Sequence, residues 1–176
     1  MRGIVRCGFD EYITAECPDI LCLQETKFRH ESDADRFRAD IDYRYFPYRY
    51  YHCDRMDQHS GTAILSRVEP RRVWYGFRQG NWQHAMKDRE GRVLAAEFDR
   101  FILVTVHVPH AHSSLEKLQY KLEWMAAFQE HVQRLREMKP VIIAGDFNIA
   151  LSDLDADPKF VAETPELVYC MVIRFN

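Results

Sequence analysis

No stretch of about eighteen apolar residues occurs in the 176-residue sequence, so no transmembrane helix and no membrane partner are expected. The opening MRGIVRCGFDEYI lacks the apolar core of a signal peptide. Five cysteines (Cys7, Cys17, Cys22, Cys53 and Cys170) are scattered, and none forms a C-x-x-C pair. That excludes the usual spacing of a thiolate zinc site and fits reduced thiols in an intracellular protein. Repeats and low-complexity tracts are absent too. With a net charge of -3 there is no overall basic character, although a local basic stripe can sit inside a balanced total.

What is present is ordinary globular material. Apolar residues make up 47% of the chain and charged residues 29%, enough for one domain with a sizeable core. Residues 9–15 read as the end of a helix, closed by Pro18 and Asp19. The apolar run at 20–23 reads as a short buried strand. Residues 31–39 are polar and helical in pattern. The aromatic and Arg-rich YRYFPYRYY at 43–51 contains Pro47, which assigns it to a sheet edge, packed there with its Arg side chains in solvent. Strand signals follow at 62–65 and 72–75, then a polar loop at 76–90. Two β-rich runs, 92–98 and 101–108, flank Asp99-Arg100 at hairpin spacing.

The clearest helix spans 113–138. A capping box at Ser113 and Glu116 opens it, and Leu115, Leu118, Leu122, Met125, Val132 and Leu135 form its apolar stripe. Lys139-Pro140 ends it. The run at 141–144 then predicts a second buried strand. Strands, a long helix and a further strand imply a layered α/β core.

Two carboxylates stand just past the apolar runs. Glu25 follows ILCL, and Asp146 follows VIIA. Strand ends hold side chains on a rigid frame while letting them reach solvent. A hard cation such as Mg²⁺ needs one or two carboxylates plus water and substrate phosphate, which this pair could supply. A turn is the competing explanation, because Asp and Asn two residues apart in GDFN also make local backbone hydrogen bonds.

The string CPDILCLQETK resembles the exonuclease III-type apurinic/apyrimidinic endonucleases of the endonuclease/exonuclease/phosphatase superfamily. The resemblance continues in order through HSGTAILSR, REGRVLAAEFDRFILVTVHVP, LQYKLEW and KPVIIAGDFNIA, from about residue 9 to about residue 158. It implies a four-layered α/β sandwich and Mg²⁺-dependent cleavage of double-stranded DNA at abasic sites, with Mn²⁺ as a substitute metal and 3′ exonuclease or 3′ repair activity beside it. By the same resemblance, Glu25 matches a metal-binding Glu and Lys27 a lysine behind it. Asp146 matches the Asp that positions or deprotonates the attacking water, and Asn148 the Asn that orients this group and the phosphate. Tyr75 in WYGF matches a Tyr-Gly of a DNA-facing loop. A monomer is expected, in the nucleus of a eukaryote or the cytoplasm and nucleoid of a bacterium.

The chain departs from that pattern in three places. The family's opening W-N-x-N-G strand has no counterpart beyond Gly3-Ile4. In VHVPHAH, His107 falls where a catalytic Tyr is expected and His110 where an Asn is expected. Each can still donate a hydrogen bond, so His107 is taken as catalytic and His110 as contacting nucleic acid. Alternation of His107, His110 and His112 along an extended segment does not favour convergence on zinc. Finally, the family's closing S-D-H does not occur after GDFN. The expectation is therefore a truncated member: residues 1–158 as a partial four-layered sandwich with an incomplete second sheet, and 159–176 as a divergent apolar tail. A catalytically impaired DNA- or protein-binding remnant is the alternative.

Overall fold

The computed structural model describes residues 8–28, 44–53, 60–77, 90–111, 114–150 and 155. The expected helix at 31–39, Ser113, most of the 76–90 loop and the apolar tail lie outside the described residues. The elements are α1 (Phe9–Glu16), β1 (Ile20–Gln24), β2 (Tyr48–His52), β3 (Thr62–Ser66), β4 (Arg72–Tyr75), β5 (Val93–Glu97), β6 (Ile102–His107), α2 (Leu115–Arg136) and β7 (Val141–Asp146). They form a three-stranded sheet in the order β1-β3-β2 and a four-stranded sheet in the order β4-β5-β6-β7. All pairings are antiparallel except β6 with β7, which α2 connects in parallel.

The period of two along each strand creates the layers. On β5, Leu94 and Ala96, with Leu103 of the neighbouring β6, face the other sheet, where they meet Ile64 and the half-buried Ile20 and Cys22. Val93 and Ala95 point the opposite way, toward Trp124, Phe128, Val132 and Leu135 of α2. The outer face of the three-stranded sheet carries Leu21, Leu23 and Leu65, packed on Phe9 and Ile13 of α1. Helix, sheet, sheet and helix are thus four layers, and β5 and β6 are buried along their whole length because both faces are covered.

Several expectations need correction. The runs at 20–23 and 141–144 predict buried central strands, yet β1 and β7 are terminal in their sheets among the described residues and only half-buried. Ile142 is 50% exposed. Arg49, expected in solvent, is buried and donates from Nε to the Phe46 carbonyl at 2.6 Å. The helix cap is Ser114 rather than Ser113: its backbone is extended and its hydroxyl accepts from the Lys117 amide at 3.2 Å. The apolar stripe holds in part: Met125, Val132 and Leu135 are buried as expected, but its edge is shifted. Leu115 is 79% exposed and Leu122 is on the surface, while Lys121, Trp124, Phe128 and His131 turn inward. The hairpin forms as expected, closed by the Phe98 amide on the Phe101 carbonyl at 2.8 Å. Cys17, Cys22 and Cys53 are not in disulfides among the described residues, and burial between the sheets pushes the Cys22 thiol up to about 11.

Gly145 explains why β7 ends as it does. It stands opposite Val106, and a Cβ there would lie 2.0 Å from the Val106 carbonyl oxygen. Gly145→Ala is expected to cost about 1–3 kcal/mol of stability through forced separation of β6 and β7, read by urea unfolding. A second prediction concerns pH. Lys139 Nζ sits 2.6 Å from Glu97 Oε1, and that hydrogen bond holds the Glu97 carboxyl below its ordinary range. A depressed folded-state value contributes stability above the unfolded pKa and loses it as pH falls through the folded one. Wild type should therefore exceed Glu97→Gln in stability at pH 7, and the difference should shrink as pH falls below the ordinary carboxylate range, as unfolding curves across an acid pH series will report.

Candidate active site

The parallel register of β6 and β7 pairs His107 with Asp146, so both side chains leave the sheet at the same end. Glu25 arrives from the other sheet. Gln24, the last residue of β1, donates from Nε2 to Thr105 Oγ1 at 2.8 Å, across the gap between the sheets and two residues before His107. The result is a convergence on one atom. His107 Nε2 lies 3.8 Å from Glu25 Oε1 and 4.0 Å from Asp146 Oδ2. These separations exceed direct hydrogen-bond length.

Burial differs sharply within the trio. His107 is 3% exposed, whereas the carboxylate side chains are about half exposed, 50% for Glu25 and 48% for Asp146. Burial, reinforced by the Arg92 charge, pushes the His107 imidazole below its ordinary pKa against the pull of the two carboxylates. Burial and the guanidinium thus favour the neutral ring. Lys27 Nζ contacts Glu25 Oε2 at 2.9 Å, and that hydrogen bond keeps the Glu25 carboxyl ionised below its usual range.

The backbone around the carboxylates is strained and pinned. Glu25, Lys27 and Asn148 adopt positive φ of 51°, 56° and 50°. The Thr26 and Lys27 amides donate to the carbonyls of Gly61 and Ser60 at 3.2 and 2.9 Å. Gly61 must lack a side chain, since a Cβ would fall 2.3 Å from Thr26 Oγ1. Asp146 Oδ1 accepts from the Asn148 amide at 2.8 Å, the local turn that GDFN also permits. Asn148 Nδ2 donates to the Val108 carbonyl at 2.7 Å, so its carboxamide ties the loop to the end of β6.

The two remaining candidates lie outside this cluster. Tyr75 ends β4, in the same row as Leu94 and Thr105. It is three strand spacings from β7, roughly 14 Å. It is exposed and packs edge-to-face on His52 at 5.8 Å. His110 is exposed and near enough for its charge to lower the His107 pKa.

Sequence reading passed over Ser60, Arg92 and Lys121. Ser60 Oγ is 3.0 Å from His107 Nδ1, and Arg92 Nη1 reaches both that nitrogen and the His107 carbonyl. Lys121 is 4% exposed and donates to the Asn148 carbonyl at 2.6 Å and toward the Phe147 carbonyl at 3.4 Å. A lysine on the inward face of a helix was the available signal for the last.

The donor set suits a hard divalent cation. Both carboxylates are oxygen ligands that reach solvent, and Lys27 engages only Oε2 of Glu25. Among the described residues, no group of three or more His, Cys, Asp or Glu side chains is placed to hold a metal ion by itself.

Residues 6–158 match the Endonuclease/Exonuclease/phosphatase family. The DNA-(apurinic or apyrimidinic site) endonuclease of Dictyostelium discoideum is 33% identical over 156 residues, covering 88% of this chain and 40% of that protein. The DNA repair nuclease APEX1 of Danio rerio is 37% identical over 157 residues, covering 88% and 48%. A 3' phosphatase from Neisseria, solved bound to product DNA hairpin, superposes with a TM-score of 0.64 at 27% identity, over 89% of this chain and 58% of that one. The chain spans about half the length of the curated relatives it matches.

Lys121 offers a direct test of how the GDFN loop is held. Lys121→Met leaves two carbonyls without their charged donor and is expected to lower unfolding free energy by about 1–3 kcal/mol. Amide hydrogen exchange at Asn148 should accelerate with it, while exchange at β3 amides, far from the loop, changes only by the global loss.

Proposed function

Because the chain belongs to the endonuclease/exonuclease/phosphatase family, we propose that it is a DNA-repair phosphodiesterase that cuts double-stranded DNA at abasic sites, with 3′ exonuclease or 3′ repair activity. The observation that carries this reading is the convergence of Glu25 and Asp146 on His107 Nε2. Relatives named as apurinic endonuclease and repair nuclease, and a neighbour solved with DNA, support the substrate class.

Nucleases of this kind generally depend on a divalent metal, and the finer assignment is Mg²⁺, with Mn²⁺ as a substitute. Glu25 would hold it, and when bound it supplies positive charge to the phosphate under attack. Lys27 keeps the Glu25 carboxylate ionised and turned toward the site. Asp146 accepts a proton from the attacking water, and the turn from its Oδ1 to the Asn148 amide fixes its rotamer. His107, neutral and buried, donates a hydrogen bond to a phosphoryl oxygen as charge grows there. Asn148 shapes the loop around this group. Tyr75 and His110 flank the cluster at the same end of the sheet, where a duplex laid across the strand ends would meet them.

The test uses a duplex carrying one abasic site. Nicking should require Mg²⁺, stop with EDTA, and fall by about a hundredfold or more in Asp146→Ala, in line with loss of a general base. Tight binding of the abasic duplex with no cut under any divalent metal would favour the non-catalytic remnant instead.

A further inference from the structure

The two ring nitrogens of His107 face different chemistry. Nδ1 lies 3.0 Å from Ser60 Oγ and 3.3 Å from Arg92 Nη1. A guanidinium nitrogen can only donate, so Nδ1 can face it only as an acceptor. The ring hydrogen then belongs on Nε2, the atom turned toward Glu25 and Asp146. The opposite tautomer would set Nδ1–H against an N–H donor in a place where His107 is 3% and Ser60 0% exposed, with little solvent to relieve the clash. Arg92 is itself fixed. Its Nη1 also donates to the His107 carbonyl at 3.1 Å, and its Nε bonds Glu90. One guanidinium therefore holds the backbone and the ring of the same residue.

We propose that Arg92 and Ser60 are positioning residues that lock His107 in one tautomer, with its hydrogen on Nε2. The imidazole is thereby a permanent donor toward the phosphoryl group and cannot compete with Asp146 for the proton of the attacking water. A hydroxyl at this position could rotate between donor and acceptor, whereas a ring clamped from behind cannot. The catalytic consequence rests on the phosphodiesterase reading; the tautomer does not.

Two independent readouts test the proposal. The first is a two-bond ¹H–¹⁵N spectrum of imidazole-labelled protein without metal at neutral pH. His107 should show a protonated Nε2 and a bare Nδ1, and Ser60→Ala or Arg92→Met should bring in the second tautomer. A wild-type ring protonated on Nδ1, or on both nitrogens, overturns the proposal. The second is kinetic. Ser60→Ala should lower kcat about tenfold with KM within about twofold. His107→Gln, which puts an amide donor where Nε2 stood, should keep more activity than His107→Asn. In the His107→Gln background, Ser60→Ala should cost nothing further, and an equal loss in both backgrounds would mean a merely structural serine and overturn the positioning role. A wild type inert on every abasic duplex refutes the functional reading while the spectrum still decides the tautomer.

Discussion

The hydrogen bond from Gln24 to Thr105 joins the two sheets at the point where the chemistry gathers. Without a link across that gap, Glu25 on one sheet and Asp146 on the other would be positioned only by apolar packing, which sets distance loosely and orientation hardly at all. Apolar contacts between Leu94, Ala96, Leu103 and Ile64 bring the sheets together. A partly buried polar pair adds direction, since moving either partner weakens a hydrogen bond that water replaces only in part. The register of β6 and β7 completes the frame: Thr105 is two residues before His107, and His107 is paired with Asp146. Three functional side chains thus derive their relative placement from one inter-sheet bond and one parallel ladder.

Much of this was legible from local pattern. ILCL and VIIA announce strands because β-rich apolar runs bounded by polar residues have few other uses, and LQETK with GDFN marks their ends. Position within a sheet was not legible. Among the described residues β1 and β7 are terminal in their sheets, with β3 and β6 as their neighbours, and nothing in either run encodes those neighbours. Helix α2 was misread for a related reason. Its leucines suggest a stripe through Leu115 and Leu122, yet the buried face passes through Lys121 and His131. Lys121 can turn inward because two carbonyls of the GDFN loop, more than twenty residues away in the chain, await its ammonium. Arg49 repeats the lesson on a shorter scale, with the Phe46 carbonyl making burial tolerable.

The surroundings of His107 show what a local environment can do to an imidazole. An exposed imidazole near neutral pH would be half charged and would pair with either carboxylate. Here burial and the Arg92 charge favour the neutral ring, so His107 behaves as a polar donor rather than a cation. Under the proposed function that would matter for a cation held by Glu25, which a charged imidazole beside it would repel. Lys27 already occupies one oxygen of that carboxylate, leaving Oε1 toward the centre.

The strain at the site follows from the same need for fixed geometry. Left-handed backbone at Glu25, Lys27 and Asn148 costs of order 1 kcal/mol each, and it persists only where surrounding bonds over-determine it. Those bonds are visible: Ser60 and Gly61 carbonyls hold the Glu25 loop, and Asp146, Val108 and Lys121 hold the Asn148 loop. The cost falls on folding, where the three apolar cores can offset it, rather than on substrate binding. Under the proposed function, a phosphate entering the cluster would meet carboxylates and a ring already in place, and its binding energy would be free to act on the transition state instead of organising the protein.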